Sequence, residues 1–202
     1  MDTKESILFN ALEMFAQTGY NTVSIRDIAG TVGIKESSIY YHFKNKQDIL
    51  DSIIDRYESH IRNLTDILNT AVIDMDSTEP LTFHAMKDYF FEKYLFDPFC
   101  NQVMRLMMIE QFHDEKVQIL YNRYLFELPE KIQMETFRML SRNGIMSEDE
   151  FVRISKMFFS VMTTLTFRYL LNGELTLTKK RAFSEEAFSF FDSISGGEDK
   201  NG

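Results

Sequence analysis

The sequence predicts an all-α protein, and three observations carry that reading. Apolar residues recur at three- and four-residue steps along most of the chain, the spacing that lines one face of a helix. Only 8 Gly and 3 Pro occur in 202 residues, too few for many short strands joined by turns. No run alternates apolar and polar residues as a half-buried strand would. With 44% apolar residues, the chain can bury a sizeable core.

The elements follow in order. Residues 4–18 place Ile7, Leu8, Ala11, Leu12 and Phe15 on one stripe, and Gly19 follows as a stop. Ser24, with Asp27 three residues on, is a capping-box start for a second helix whose inner face is Ile25, Ile28, Ala29 and Val32. Gly33 ends it and can take the left-handed conformation of a tight turn. A short third helix is expected from about Lys35 to Phe43, with Ile39 and Phe43 inward. Asn45 caps a long fourth helix, with Asp48 at its third position, that holds the helical period to about Ile73. After the break "DMDSTEP", helices are expected at 79–96, 98–112, 114–141, 147–172 and 179–194. Pro98 and Asn143-Gly144 mark boundaries, and Ser147 with Glu150 makes another capping box. Residues 196–202 read as a disordered tail.

Charge narrows the partners. The net charge is −9, from 22 basic and 31 acidic side chains, which argues against nucleic-acid binding by the whole surface. Residues 1–48 carry five of the basic residues against six acidic ones, and four of the five lie between Arg26 and Lys46. Any contact with nucleic acid is therefore local. No apolar run approaches the roughly 18 residues of a membrane span. No secretory signal is visible, and the single Cys100 excludes an internal disulfide framework. Together these features point to the cytoplasm. No HExxH, GxSxG, P-loop or GxGxxG motif occurs, so neither an enzyme nor a cofactor is expected.

The window from Lys35 to Lys46, "KESSIYYHFKNK", ends a three-helix unit with a glycine turn between its second and third helices. That is a helix-turn-helix unit, whose last short helix enters the DNA major groove. Its outer positions are Lys35, Ser37, Ser38, Tyr41 and His42, all able to meet base edges, thymine methyls or phosphates. Lys46 opens the next helix, where free N–H groups and the helix dipole already favour an anion.

The stretch "TVSIRDIAGTVGIKESSIYYHFKNKQDIL" resembles the DNA-binding segment of the TetR family of bacterial transcriptional regulators. The resemblance covers about residues 5–52 and rests on "SIRDIA", "VGI", "SIYYHF" and "KNK". It implies that Tyr40 and Lys46 meet phosphate, that Ser38, Tyr41 and His42 form the recognition surface, and that Arg26 adds a groove or phosphate contact. Lys35 stands where a capping Ser or Thr is frequent, so the recognition helix starts less firmly. Glu36 stands where a basic or polar residue is frequent, which bears on the operator sequence.

The implied organisation is a DNA-binding domain at 1–46, joined by the long helix to a helical ligand-binding and dimerisation domain at 47–195. The resemblance implies a repressor with a small-molecule effector, apolar or amphipathic, bound among the middle helices. Phe90, Tyr94, Met104, Met108, Phe112, Tyr121 and Tyr124 are the candidate lining. It also implies a homodimer through the last two long helices. The residues agree: the 147–172 helix is apolar nearly all round, and a second subunit is the economical source of partners for it. Ala187, Phe190, Phe191 and Ile194 share one face of the last helix.

Two rival readings remain open at this level. Glu110 and His113 have the Glu-x-x-His spacing of di-iron carboxylate bundles, which suggests a helical metal-binding protein, although only one copy of the motif occurs. His84 with Asp88 reads as a surface pair. The other rival is an interaction protein that kept a helix-turn-helix fold without reading DNA.

Overall fold

In the computed structural model, residues 2–74, 89–142 and 147–195 are described. They form the helices α1 (Thr3–Thr18), α2 (Ile25–Val32), α3 (Glu36–Ile39), α4 (Lys46–Asp74), a single π-helical turn α5 (Phe91–Leu95), α6 (Pro98–Glu110), α7 (Glu115–Asn122), α8 (Leu128–Arg142), α9 (Glu148–Leu165) and α10 (Leu177–Ser195). The chain divides into two compact units, Met1–Asp66 with Pro98–Tyr121, and Ile67–Asp97 with Asn122–Gly202. The expected pair His84–Asp88, the boundary Asn143-Gly144, the tail 196–202 and most of the expected helix 79–96 lie outside the described residues.

In the first unit, α1 buries Ile7, Leu8, Ala11, Leu12, Phe15 and Ala16, the stripe read from the sequence. Each large apolar side chain so buried stabilises the fold by about 1.5–3 kcal/mol. The α1 start is capped by Asp2, whose carboxylate accepts the Glu5 N–H at 2.8 Å. At α2 the capping box is complete: the Ser24 hydroxyl accepts the Asp27 N–H at 3.1 Å, and the Asp27 carboxylate accepts the Ser24 N–H at 2.9 Å. Gly33, at φ +78°, takes the left-handed conformation and turns the chain. Asn45 accepts the Asp48 N–H at 2.9 Å and so starts α4. From there Ile49, Leu50, Ile53, Tyr57, Ile61 and Leu64 face the core.

The α6 helix packs on α1. Phe9 meets Phe99 edge-on at 6.4 Å, and the Arg56 guanidinium of α4 lies over both rings while pairing with Glu5. One arginine thus ties together three helices distant in sequence.

In the second unit, α8 packs along α9, with Phe137 against Phe158 at 5.4 Å. Phe91, Phe96 and Phe183 form an edge-to-face cluster, and the Lys180 ammonium donates to the Phe96 carbonyl at 2.7 Å. Aromatic pairs of this geometry add about 0.5–1.5 kcal/mol each beyond their buried area.

Three departures from the sequence reading stand out. The third helix, expected to reach Phe43, closes at Ile39, because the His42 and Phe43 N–H groups both converge on the Ile39 carbonyl. The runs expected at 114–141 and 147–172 each contain a π-helical turn, Arg123–Glu127 and Thr166–Leu170. At α9 the expected capping box is incomplete: the Ser147 hydroxyl donates to the Glu150 carboxylate, and the serine side chain caps no backbone N–H.

The α2 capping box makes acid stability testable. Its hydrogen bonds from Ser24 hold the Asp27 carboxyl below its ordinary range. A carboxyl depressed in the folded state stabilises above its unfolded pKa and loses that stabilisation as pH falls through the folded value. Asp27→Ala should therefore be less stable than the parent near pH 7, and the gap should close as pH falls below about 4. Urea unfolding of both proteins across pH 7 to 3 measures this.

Candidate nucleic-acid interface

The third helix is anchored from below and bare above. Ile39 is fully buried and Phe43 nearly so, with the Lys4 ammonium 5.5 Å from the Phe43 ring centre. On the outside, Tyr41 is 87% and Tyr40 53% exposed. Lys35, Ser37 and His42 are exposed and Ser38 is half-buried. Lys35 makes no side-chain cap, as its residue type predicts. Arg26 is exposed on α2. Six of the eight expected DNA-facing residues therefore project a donor, an acceptor or a ring from residues 35–42, and Arg26 adds a seventh from α2.

Lys46, the eighth, is placed differently. Its ammonium turns inward and donates to the Tyr20 and Val23 carbonyls, each at 2.8 Å. It also lies 4.2 Å from the centre of the Tyr20 ring. Burial lowers its pKa, with the Glu110 charge opposing that effect. The expectation of a phosphate contact is corrected to this extent: in the structure the charge serves the turn between α1 and α2. Carbonyls in that turn have no helical partner, and α4 begins within reach of them.

Glu110 is the residue the sequence reading misplaced most. Its carboxylate is 4% exposed and accepts the Tyr20 N–H at 2.7 Å. His113 is exposed in the turn beyond α6. Among the described residues no group of three or more His, Cys, Asp or Glu could hold a metal ion. The metal-binding alternative is not favoured, because Glu110 is already engaged by backbone. Among the described residues no helix is long and apolar enough to cross a membrane.

The expected ligand lining separates into two groups. Phe90, Tyr94 and Tyr124 belong to the second unit, where the Tyr94 hydroxyl donates to the Tyr124 carbonyl at 2.7 Å. Met104, Met108, Phe112 and Tyr121 belong to the first. Met104 is buried, Met108 and Tyr121 are half-buried, and Phe112 is 82% exposed. Phe112 is a correction: α6 has ended at Glu110, so the helical spacing that pointed it inward no longer applies.

The two glycines of this region differ in what holds them. Gly19, at φ +87° and ψ 155°, occupies a region essentially reserved for glycine, and an added Cβ would stand 3.0 Å from Glu110 Oε1. At Gly33 an added Cβ would meet nothing within 4 Å. Gly33→Ala should therefore cost about 1–2 kcal/mol of left-handed strain. Gly19→Ala should cost more, about 1–3 kcal/mol from backbone alone before the Glu110 contact is counted. Denaturant midpoints of the two variants give the order.

Comparison with known proteins agrees with this geometry. Residues 7–53 match the model of the bacterial regulatory proteins of the tetR family. The biofilm operon icaADBC HTH-type negative transcriptional regulator IcaR of Staphylococcus aureus is 24% identical over 156 residues, 77% of this chain and 79% of its own. The HTH-type transcriptional regulator AcrR of Shigella flexneri is 38% identical over 63 residues, 31% of this chain and 29% of its own. A TetR-family regulator from Marinobacter aquaeolei superposes with a TM-score of 0.65 at 23% identity, over 94% of this chain and 89% of its own. A transcriptional regulator from Saccharomonospora viridis, solved in complex with choline, gives 0.61 at 20% identity over 94% and 95%. These relatives are all named as transcriptional regulators. The anchored, outward-facing third helix lies within the matched segment, so residues 7–53 form a DNA-binding domain of the TetR-family type.

Proposed function

We propose that the protein is a homodimeric repressor that leaves a palindromic operator when a small apolar or amphipathic molecule binds. One observation carries the DNA-reading part: Tyr40 and Tyr41 are held out in solvent in the turn that leaves α3, between the buried Ile39 and Phe43. Burial fixes the helix, and exposure leaves the rings and hydroxyls for base edges and phosphate. Arg26, Lys35, Ser37, Ser38, Tyr40, Tyr41 and His42 make the contacts, and Lys46 serves by holding the α1–α2 turn. IcaR, named a negative regulator, supports repression.

The dimer reading rests on α9 and α10. Val152 and Met157 of α9 stay 40% and 44% exposed although the helix buries Phe151, Ile154 and Phe158 elsewhere. An open groove lined by Val161, Leu165 and Phe190 runs between the two helices. A second copy would cover these positions, and a two-fold dimer with recognition helices about 34–36 Å apart would read a palindrome.

Selection from a random duplex library tests the reading. The parent should enrich a palindrome. Tyr41→Ala or Ser38→Ala should change preference at particular bases, at about 1–3 kcal/mol per lost contact. Lys46→Ala should weaken all sequences alike and leave the salt slope unchanged, because its ammonium is spent on carbonyls. A slope lower by about one would instead put Lys46 on phosphate.

The effector reading rests on the aromatic second unit. Tyr94 and Tyr124 are buried there, and the unit contains π-helical turns, which are frequent at functional sites. The choline complex of the Saccharomonospora viridis regulator makes a small ligand a reasonable expectation here. The helix α4, continuous from Lys46 to Asp74, is the lever that carries the ligand's effect toward the DNA-facing end. An effector with a coupling of about 1–3 kcal/mol would lower operator affinity roughly 5- to 150-fold, and operator would weaken effector binding equally. Calorimetric titration of a candidate effector with and without operator checks this. Equal affinity in both titrations removes that molecule as the effector.

A further inference from the structure

The helix α6 ends on Glu110, a poor place for a carboxylate. The residue is 4% exposed, and burying an anion is costly unless it is well paired. The C-terminal end of a helix also carries negative partial charge, which disfavours a second one. What Glu110 receives in return is the Tyr20 N–H at 2.7 Å, from a residue ninety positions away in the chain.

The far side of the same residue is held by the opposite charge. The Tyr20 carbonyl and the Val23 carbonyl both accept from the Lys46 ammonium. Tyr20 is therefore gripped between an anion on its N–H and a cation on its C=O. Its hydroxyl also donates to Gln47 at 3.1 Å, and its ring lies against Phe15 at 5.2 Å. Gly19 allows the approach, since any Cβ there would press on Glu110 Oε1 at 3.0 Å. One residue past Val23, Ser24 caps α2, and the Ile34 N–H donating to the Ala29 carbonyl ties the next turn to α2. The direction in which α2 and α3 leave α1 is thus set within five residues of the Glu110 bond.

We propose that Glu110 is a positioning residue for DNA binding. Its hydrogen bond to the Tyr20 N–H fixes the turn from which α2 and α3 project, so the C-terminal end of α6 controls operator affinity. This rests on the operator-binding reading above and adds a second control point beside α4. The site suits control because the bond is single, charged and costly to maintain: a shift of α6 by about one ångström lengthens it past hydrogen-bonding range. Glu110 itself stays off the DNA.

The experiment compares Glu110→Gln, Glu110→Ala and Phe99→Leu on the duplex enriched by the parent protein, well below every melting temperature. Phe99→Leu trims α6 elsewhere, against Phe9 and Arg56, and reports a merely structural effect. Glu110→Gln keeps an acceptor oxygen but loses the charge, and should bind three- to tenfold more weakly. Glu110→Ala should bind more than tenfold more weakly, in line with the loss of a charged hydrogen bond. Both should keep the parent's salt slope and base preference, since neither removes a DNA contact. Phe99→Leu should bind within twofold of the parent. Glu110→Gln is isosteric, so it decides alone if Glu110→Ala does not fold. Glu110→Gln within twofold of the parent, or Phe99→Leu as weak as the Glu110 variants, overturns the proposal while leaving operator binding intact. A parent that enriches no sequence overturns the operator reading, and this proposal with it.

Discussion

The turn between α1 and α2 is the constraint on which the DNA-facing half of this protein depends. Its backbone is compelled at Gly19 into a conformation open only to glycine. It is then held from two sides by side chains arriving from α4 and α6. Such a turn has few backbone partners of its own, and its polar groups must be satisfied from elsewhere. Here Lys46 supplies the donor and Glu110 the acceptor. The recognition helix is only four residues long and lacks a side-chain cap, so it has little intrinsic stability. Its position is set by the buried Ile39 and Phe43 and by the turn upstream.

The two units are stabilised in different ways. The first combines a largely aliphatic core, which includes Ile7, Leu12, Ile28, Ile53 and the Phe15 ring, with three polar links that bridge distant sequence: Arg56 to Glu5, Glu110 to Tyr20 and Lys46 to Tyr20. The second is held largely by rings, with Phe91, Phe96 and Phe183 in one cluster and Phe137 against Phe158 in another contact. Its π-helical turns place carbonyls off the regular helical ladder, and the Tyr94 hydroxyl satisfies one of them at Tyr124. A network of polar links transmits displacement sharply, because a hydrogen bond fails within about half an ångström. A ring-packed interior tolerates rearrangement more gradually.

Much of the fold was legible because it is local. The stripe of α1, the Ser24–Asp27 capping box, the Gly33 turn and the Asn45 cap of α4 each depend on residues within a few positions of one another. The exposure of Tyr41 between the buried Ile39 and Phe43 was legible from their spacing, although the helix itself closes at Ile39. The π-helical turns were not, since periodicity does not distinguish a helix with one inserted residue from a regular one. Phe112 was misread because its helix ends two residues early, and helix ends are where periodic reasoning is weakest.

The sequence by itself determined the all-helical class, the helix-turn-helix unit, the anchoring of its third helix and the family likeness of residues 7–53. These follow from spacing, capping chemistry and glycine placement, all of which act over a few residues. Only the tertiary structure shows where the side chains of Lys46 and Glu110 go. Sequence assigned the first to phosphate and offered the second as a metal ligand. Both are instead spent on the backbone of Tyr20, one from twenty-six positions away and the other from ninety. No local pattern reports such a pairing, because a charged side chain goes wherever the folded chain leaves an unpaired carbonyl or N–H, and that place exists only once the helices have packed.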